Sequence, residues 1–299
     1  MAEYYDPDTY PSEWNYLQPG TIIDQYVIER ELAHGGFSSV YIARQLADQV
    51  QVAIKEYLPR RLAHRAWNNN VVVNDEQSKA LFLRGRALFF DEAKVLAKLK
   101  HPAIVDVINF FQANSTVYMV MVYEYGLMLD KLIKNKKITM DGKFLVNVFS
   151  ELLNGVRIIH NNDFVHLDLK PSNIIICPGN KPLLLDFGAI HRPTIRDKIK
   201  RNKVLSKGFS PIEQYIRDGA IGPWTDIYAV GATMRACIEG VPPLPAPERQ
   251  QNDTMPSAVE AFKKDFPANL LKAIDWAMAV DPKQRPQTVD DLQKAIQKS

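Results

Sequence analysis

Between about Ile23 and Met121 the chain keeps returning to a period of two. "YVIERELA", "SSVYIARQ", "QVAIKEY", "IVDVINFF" and "TVYMVMVY" read as five strands, alternating or continuously apolar. One helix interrupts them. Over about Arg86 to Leu99 the residues Leu88, Phe89, Glu92, Leu96 and Leu99 fall on one side, so Glu92 lies on the inward stripe. A carboxylate there needs a partner. Beyond Glu124 the helical period takes over: Leu145, Val148, Phe149, Leu152, Leu153, Val156 and Ile159 form one wide apolar face. Two short strands, "NIII" and "PLLLDF", are joined by the turn residues Pro178, Gly179 and Asn180. Helices then follow over about Asp226–Ile238 and Asn269–Ala279, with a last one opened by Thr288 and Asp291 as a capping box. The first 20 residues, with three prolines and a closing Pro19-Gly20, show neither period and read as an extension. The pattern predicts an α+β protein, sheet-rich first and helix-rich second, without internal repeats.

Composition narrows the partners. A chain of 299 residues, 46% hydrophobic, can fill two cores. Its 37 basic and 34 acidic side chains leave a formal charge of +3, too slight to indicate nucleic acid or a membrane surface. Two cysteines, Cys177 and Cys237, cannot build a disulfide framework, and no Cys/His cluster offers a metal site. With no apolar leader and no run of about 18 apolar residues, a reducing, cytoplasmic setting is expected.

Four pieces carry polar chemistry, and each alone is weak. "LAHGGFSSVY" puts paired glycines between two strands: either a tight hairpin or a backbone that can lie close over a polyphosphate. "VAIKEY" places Lys55 on a strand. "HLDLKPSNII" sets Asp168, Lys170 and Asn173 just before a run of isoleucines, and "LLLDFGAI" ends a buried strand at Asp186.

Taken in this order, the pieces resemble the signature of the eukaryotic-like (bacterial-type) Ser/Thr protein kinase family: a Gly-rich loop, a strand lysine, a helix glutamate, an H-x-D-L-K-x-x-N loop and D-F-G. The resemblance extends over residues 24–299. "FSPIEQY" is similar to the family's segment ending in A-P-E, "WTDIYAVGATM" to the Asp-led helix after it, and "DPKQRP" to a late arginine element. It implies a bilobal fold: an extension over 1–22, an antiparallel N-lobe with one main helix over 23–121, and a helical C-lobe over 122–299, with a hinge near 122–126 and a cleft between the lobes.

The resemblance also implies roles. ATP and Mg²⁺ would be the cofactors and a protein Ser/Thr hydroxyl the acceptor. Asp168 would orient the hydroxyl, Lys170 would steady the γ-phosphate, and Lys55, held by Glu92, would pair with the α- and β-phosphates. Asn173 and Asp186 would ligate metal. Gly35, Gly36 and Phe37 would cover the phosphates; Val40 and Ala53 above and Ile175 below would enclose adenine. Matching Gly126 to the family's glycine makes Met121 the gatekeeper and Val122, Tyr123 and Glu124 the hinge; a two-residue shift puts Tyr123 in the gatekeeper's place. Ser206 occupies the position of the hydroxyl that helps dock substrate. His166 with Phe187, and Glu213 with Arg285, are implied to be structural pairs.

Several positions depart from the family pattern. Ala33 and Ser38 stand where glycines usually fall, and Ser38 stiffens the loop if its position needs a positive φ. An insertion over about 58–83 brings Arg60, Arg61, Arg65 and Trp67, which read as a partner surface or as local structure packed on the first lobe. From His191 to Lys207, Arg192, Arg196, Lys198, Lys200, Arg201, Lys203 and Lys207 face one acid, Asp197; the stripe favours acidic substrates or a phosphorylated partner, or is a solvated loop. Leu167 replaces the arginine that in many members binds an activation-segment phosphate, so control through phosphorylated Thr194 or Ser206 is not expected by that route. Two other readings stand beside an active kinase: a pseudokinase scaffold, favoured by the altered glycines, and a small-molecule kinase of related fold, opposed by "FSPIEQY" and Arg285.

Overall fold

The structure, a computed structural model, describes residues 15–135, 140–193 and 205–297. The chain divides into two compact units, Met1–Lys100 with Val105–Glu124, and His101–Ile104 with Tyr125–Ser299.

In the first unit, β1 (Ile22–Ile23), β2 (Tyr26–His34), β3 (Ser38–Gln45) and β4 (Gln51–Tyr57) precede a small ribbon of β5 (Ala63–Arg65) and β6 (Val71–Val73). Helix α1 (Glu76–Leu96) and strands β7 (Val107–Ala113) and β8 (Thr116–Val122) complete it. Six strands form one antiparallel sheet in the order β1-β2-β3-β4-β8-β7. Opposed residues share a face and successive residues alternate. Because Val40 pairs with Lys55, and Ala53 with both Ile42 and Met121, the set Val40, Ala53, Lys55 and Met121 shares one face. The other face is the core: Tyr26, Ile28, Tyr41, Ala43, Val52, Ile54, Tyr118 and Val120.

Leu17 belongs to that same core, and the amide of Gly20 donates to the Ile28 carbonyl at 2.8 Å. The extension expected over 1–22 is therefore part of the fold from at least residue 16. Burying one leucine contributes about 2 kcal/mol, and the hydrogen bonds from Gly20 and Ile28 add to it in holding the segment.

Helix α1 is longer than its apolar period indicates. Asp75 caps it by accepting from the Ser78 amide at 2.7 Å, so the helix starts at Glu76, ten residues before the predicted start. Its buried stripe is Phe82, Phe89, Glu92, Ala93 and Leu96, whereas Leu88, expected inward, is 52% exposed. Gly85 fits where a Cβ would lie 2.0 Å from the Tyr57 hydroxyl, so the helix seats directly on that ring.

The 58–83 insertion is local structure. Arg65 is buried and ion-paired with Glu56, which is fully buried and also accepts from Tyr41 (2.8 Å) and Tyr118 (2.6 Å). Burial first, then the Glu56 charge, pushes both phenols far above their ordinary range, so they stay neutral donors. Trp67 is left exposed.

The second unit contains β9 (Leu127–Met128), α2 (Leu129–Asn135), α3 (Gly142–Asn161), β10 (Ile174–Cys177), β11 (Lys181–Leu184), α4 (Ile212–Tyr215) and α5 (Pro223–Glu239). It closes with α6 (Ala246–Gln251), α7 (Ala258–Phe262), α8 (Ala268–Ala277) and α9 (Val289–Gln297). Every apolar residue predicted for the α3 face is buried. Helix α5 is buried continuously from Thr225 to Cys237 and is the axis against which α3 and α8 pack. The β10–β11 turn needs positive φ at Gly179 (78°) and Asn180 (58°), as its residue types suggest. Helix α9 opens on the Thr288–Asp291 box, each residue's backbone amide donating to the other's side chain at 3.1 and 3.2 Å. Helices α2, α4, α6 and α7 are too short to show a period.

Candidate active site

Each unit gathers part of the expected constellation. In the first, Lys55 on β4 and Glu92 on α1 form an ion pair at 3.2 Å, mostly shielded from water. This pair explains a carboxylate on the inward stripe of α1. The Lys55 ammonium also lies 5.5 Å from the centroid of the Phe89 ring. Lys55, Val40, Ala53 and Met121 project from the same face of the sheet. Val122 is the last residue of β8, and its amide donates to the Asp106 carbonyl at 2.9 Å. Tyr123 and Glu124 follow the strand, Glu124 exposed.

The glycine hairpin closes β2 onto β3, with the Gly35 amide donating to the Ser38 carbonyl at 2.8 Å. Ser38 does not have the positive φ that would have made it stiffen the loop; it is an ordinary residue opening β3. A Cβ at Gly35 would meet nothing nearer than 3.9 Å, and at Gly36 nothing within 4 Å. Packing inside the unit therefore does not demand these glycines.

In the second unit the loop between α3 and β10 is a dense polar cluster. Asp168 accepts the Ser206 hydroxyl at 2.7 Å on Oδ1, and on Oδ2 it accepts Lys170 at 2.8 Å and Asn173 at 3.0 Å. Lys170 also donates to Ser206 Oγ at 3.0 Å, and Asn173 to the Asp168 carbonyl at 2.8 Å. Asp186 follows β11 and accepts the Gly188 amide at 3.1 Å. That segment is tied to the loop by the Leu185 amide, which donates to the Asn173 carbonyl at 3.0 Å. Ile175, on β10, packs so closely on Gly126 that a Cβ there would approach its Cγ2 to 2.3 Å and the Ile176 carbonyl oxygen to 2.7 Å.

The loop is held in an unfavourable conformation. Leu167 has φ 67°, a left-handed geometry that costs a leucine about 1–2 kcal/mol. Asp226, at the start of α5, offsets this by accepting the His166 and Leu167 amides at 2.8 Å each and the His160 ring at 2.8 Å. Gln214 donates to the Leu167 carbonyl at 2.9 Å. Burial raises the Asp226 carboxyl, but His160 and His166 more than reverse it and hold the group below its ordinary value, so it is anionic. His166, fully buried, is kept neutral by desolvation against the pull of Asp226 and Asp168. Its Nδ1 accordingly accepts the Asp168 amide at 3.2 Å, and its ring meets Phe187 edge-on at 4.7 Å. These contacts make Asp226, His160 and Gln214 positioning residues; the sequence marked Asp226 and Gln214 only as members of family-like segments, without a role, and did not mark His160. The signal was present in Asp226, an acid opening an otherwise apolar helix.

Glu213 and Arg285 form a buried bidentate pair at 2.7 and 3.1 Å, with Thr225 donating to the same carboxylate at 3.0 Å. Of the basic stripe, Arg192 already covers the Phe164 ring at 4.6 Å. Thr194, Arg196, Asp197, Lys198, Lys200, Arg201 and Lys203 lie outside the described residues.

Among the described residues no three His, Cys, Asp or Glu side chains gather as a metal cage. Asn173 and Asp186 offer two hard oxygen donors. That fits magnesium, which takes one or two protein oxygens and completes its octahedron with phosphate and water.

This geometry has known relatives. The protein kinase domain family matches residues 26–297.

The chain belongs to the protein kinase domain family.

The kinase domain is 25% identical to Aurora kinase B of Mus musculus over 269 residues, covering 87% of this chain and 71% of that one. It is 26% identical to the serine/threonine-protein kinase PknB of Mycobacterium tuberculosis over 291 residues, 92% of this chain and 42% of that one. PrkC of Bacillus subtilis is likewise 26% identical, over 92% of this chain and 40% of its own. The kinase domain thus spans about two fifths of these bacterial relatives. The apo structure of PpkA-294 matches with a TM-score of 0.86 and 32% identity, over 95% of this chain and all of that one. The kinase domain stands with the serine/threonine protein kinases, many of them bacterial. Among the described residues no helix is long and apolar enough to cross a membrane.

Proposed function

We propose that this kinase domain transfers the γ-phosphoryl group of ATP to a Ser or Thr hydroxyl of a protein, with Mg²⁺, and does so without an activation-segment phosphate. The observation that carries the reading is the Asp168 cluster. One carboxylate held by Lys170, Asn173 and Ser206 has its orientation set before any substrate arrives. An entering hydroxyl takes over the Ser206 contact and presents its proton to Asp168. Lys170, 2.8 Å from Asp168, supplies positive charge where the transferring phosphoryl group is most anionic. Lys55, oriented by Glu92, holds the α- and β-phosphates, while Val40, Ala53 and Met121, on its face of the sheet, offer apolar surface to adenine and the Val122–Glu124 backbone offers hydrogen bonds. Magnesium, when bound, would neutralise phosphate charge, and Asn173 and Asp186 would be its protein ligands.

Incubation with labelled ATP, Mg²⁺ and a general protein substrate tests this. The wild type is expected to label Ser or Thr, and Asp186→Asn to fall to background; equal labelling by both would leave a scaffold without catalysis.

Independence from a phosphate rests on what holds Leu167. Its backbone is fixed by Asp226 and Gln214, and its side chain has no charge to offer a phosphate. Ser206 is no alternative, because a phosphate there would lie against the Asp168 carboxylate and repel it. Thr194→Ala is therefore expected to keep kcat within about threefold of wild type, since no charge-assisted clamp is lost. A collapse repaired in the wild type by phosphorylation at Thr194 would overturn this. The basic segment from His191 to Lys207 would then serve acidic substrates or a phosphorylated partner, not self-activation.

A further inference from the structure

The glycine hairpin is bonded to more than its own two strands. Beyond the Ser38–Tyr57 pair, the β3–β4 ladder continues: the Leu58 amide donates to the Phe37 carbonyl at 3.0 Å and the Arg60 amide to the Gly36 carbonyl at 3.2 Å. The outgoing limb of the hairpin is thus held by the first residues of the insertion. Phe37, at the tip, is 73% exposed and adds no packing of its own.

Arg60 is fixed in turn. Its guanidinium donates to the Tyr16 hydroxyl and covers the Tyr16 ring at 4.8 Å. The same ring meets His34, on the incoming limb, at 5.3 Å, and His34 is paired with Glu31 at 2.9 Å. Tyr16 cannot drift, because its neighbour Leu17 is buried in the sheet core and the Leu17 amide donates to the Tyr41 hydroxyl at 3.3 Å. One aromatic side chain ahead of the first strand therefore bridges both limbs, through His34 on one and Arg60 on the other.

We infer that the Tyr16–Arg60 pair is a clamp that positions the glycine hairpin for the phosphates of ATP, so that nucleotide affinity is set by residues outside the glycine motif. The inference rests on the kinase reading for its ligand, but the clamp itself belongs to the free protein. Its physical basis is preorganisation: a hairpin already held in place loses less freedom when a ligand arrives. Ala33 and Ser38 agree with it. Both sit in paired strand positions, opposite Val40 and Tyr57, so the glycines the family usually has there would only add freedom.

The test has two arms. The first measures ATP affinity by calorimetry, together with KM for ATP and kcat, for Tyr16→Ala, Arg60→Ala, the double variant and Tyr16→Phe. Either alanine variant is expected to weaken ATP binding and raise KM by about tenfold, the loss of one shielded cation–aromatic contact, with kcat changed less than about twofold. The double variant is expected to match Tyr16→Ala, which already removes the Arg60 contact together with that to His34. Tyr16→Phe, which keeps the ring under the guanidinium, is expected to retain most of the affinity. The second arm needs no nucleotide: amide hydrogen exchange at residues 35–38 is expected to be faster in Tyr16→Ala and near wild type in Tyr16→Phe. Unchanged exchange and unchanged affinity in the alanine variants would overturn the clamp, as would additive losses in the double variant. Wild-type protein that binds no ATP would sink the kinase reading, and exchange would still decide whether the clamp exists.

Discussion

Asp168→Asn is expected to lower kcat by about 10²–10⁴-fold, the range for losing a positioned proton acceptor, while KM for ATP stays within a few-fold. The carboxylate accepts hydrogen bonds from Ser206, Lys170 and Asn173, all donors. An asparagine presents one oxygen and one amino group, so either the Ser206 hydroxyl turns to accept from the amino group, or the amino group faces the Lys170 ammonium and the Asn173 amide. The charge and part of the geometry are lost together. Because the backbone is held separately, by Asp226 and by Asn173 on the Asp168 carbonyl, the melting temperature should drop by about 5 °C or less. Steady-state kinetics beside thermal denaturation separate the two effects. A variant retaining a tenth of wild-type kcat would remove Asp168 from the reaction. So would a loss of activity matched by a loss of fold.

Arg65→Met is expected to be the most damaging change outside the polar cluster, costing about 3–5 kcal/mol and lowering the melting temperature by on the order of 10 °C. Its guanidinium is buried against Glu56 and also donates to the Asn69 carbonyl at 2.8 Å. Without it, a fully buried carboxylate keeps only the Tyr41 and Tyr118 hydroxyls, two neutral donors against one full charge. Glu56→Gln should cost less, since the tyrosines still find an acceptor. The pair Arg65→Met with Glu56→Leu should recover part of the loss, because no unpaired charge remains, though both phenols lose their acceptor. The consequence should reach Lys55 as well. The β5–β6 ribbon leads straight into the cap of α1, which carries Glu92, so a loosened ribbon weakens the 3.2 Å ion pair. Denaturation of the wild type, Arg65→Met, Glu56→Leu and the pair forms a double-mutant cycle; an Arg65→Met loss under about 1 kcal/mol would show that the pair contributes little.

Much of the site was legible because it depends on short-range order. Asp168, Lys170 and Asn173 lie within six positions of one another, and their bonds to each other are local. Glu92 was legible for a different reason: helical period alone places it inward, and an inward carboxylate demands a cation. The bounds of α1 were not, because its first ten residues bury a single large apolar side chain, Phe82, and are held by the Asp75 cap and the Tyr57 ring, which fills the space beside Gly85. Nor was the extension, whose composition reads as a linker although Leu17 is core. A single buried leucine has no period to detect.

By itself the sequence determined the order of the elements, the faces that α3 and the strands bury, the turn at Gly179–Asn180, and the identity of the polar groups. All of these follow from periodicity, turn chemistry and spacing over a few residues. Only the tertiary structure decided which distant residues hold those groups in place: Asp226 and Gln214 on the strained Leu167, Arg65 on Glu56, Tyr16 and Arg60 on the glycine hairpin. Such contacts join positions 9 to 59 residues apart, and whether a given arginine is buried or solvated depends on the surface the whole unit builds around it.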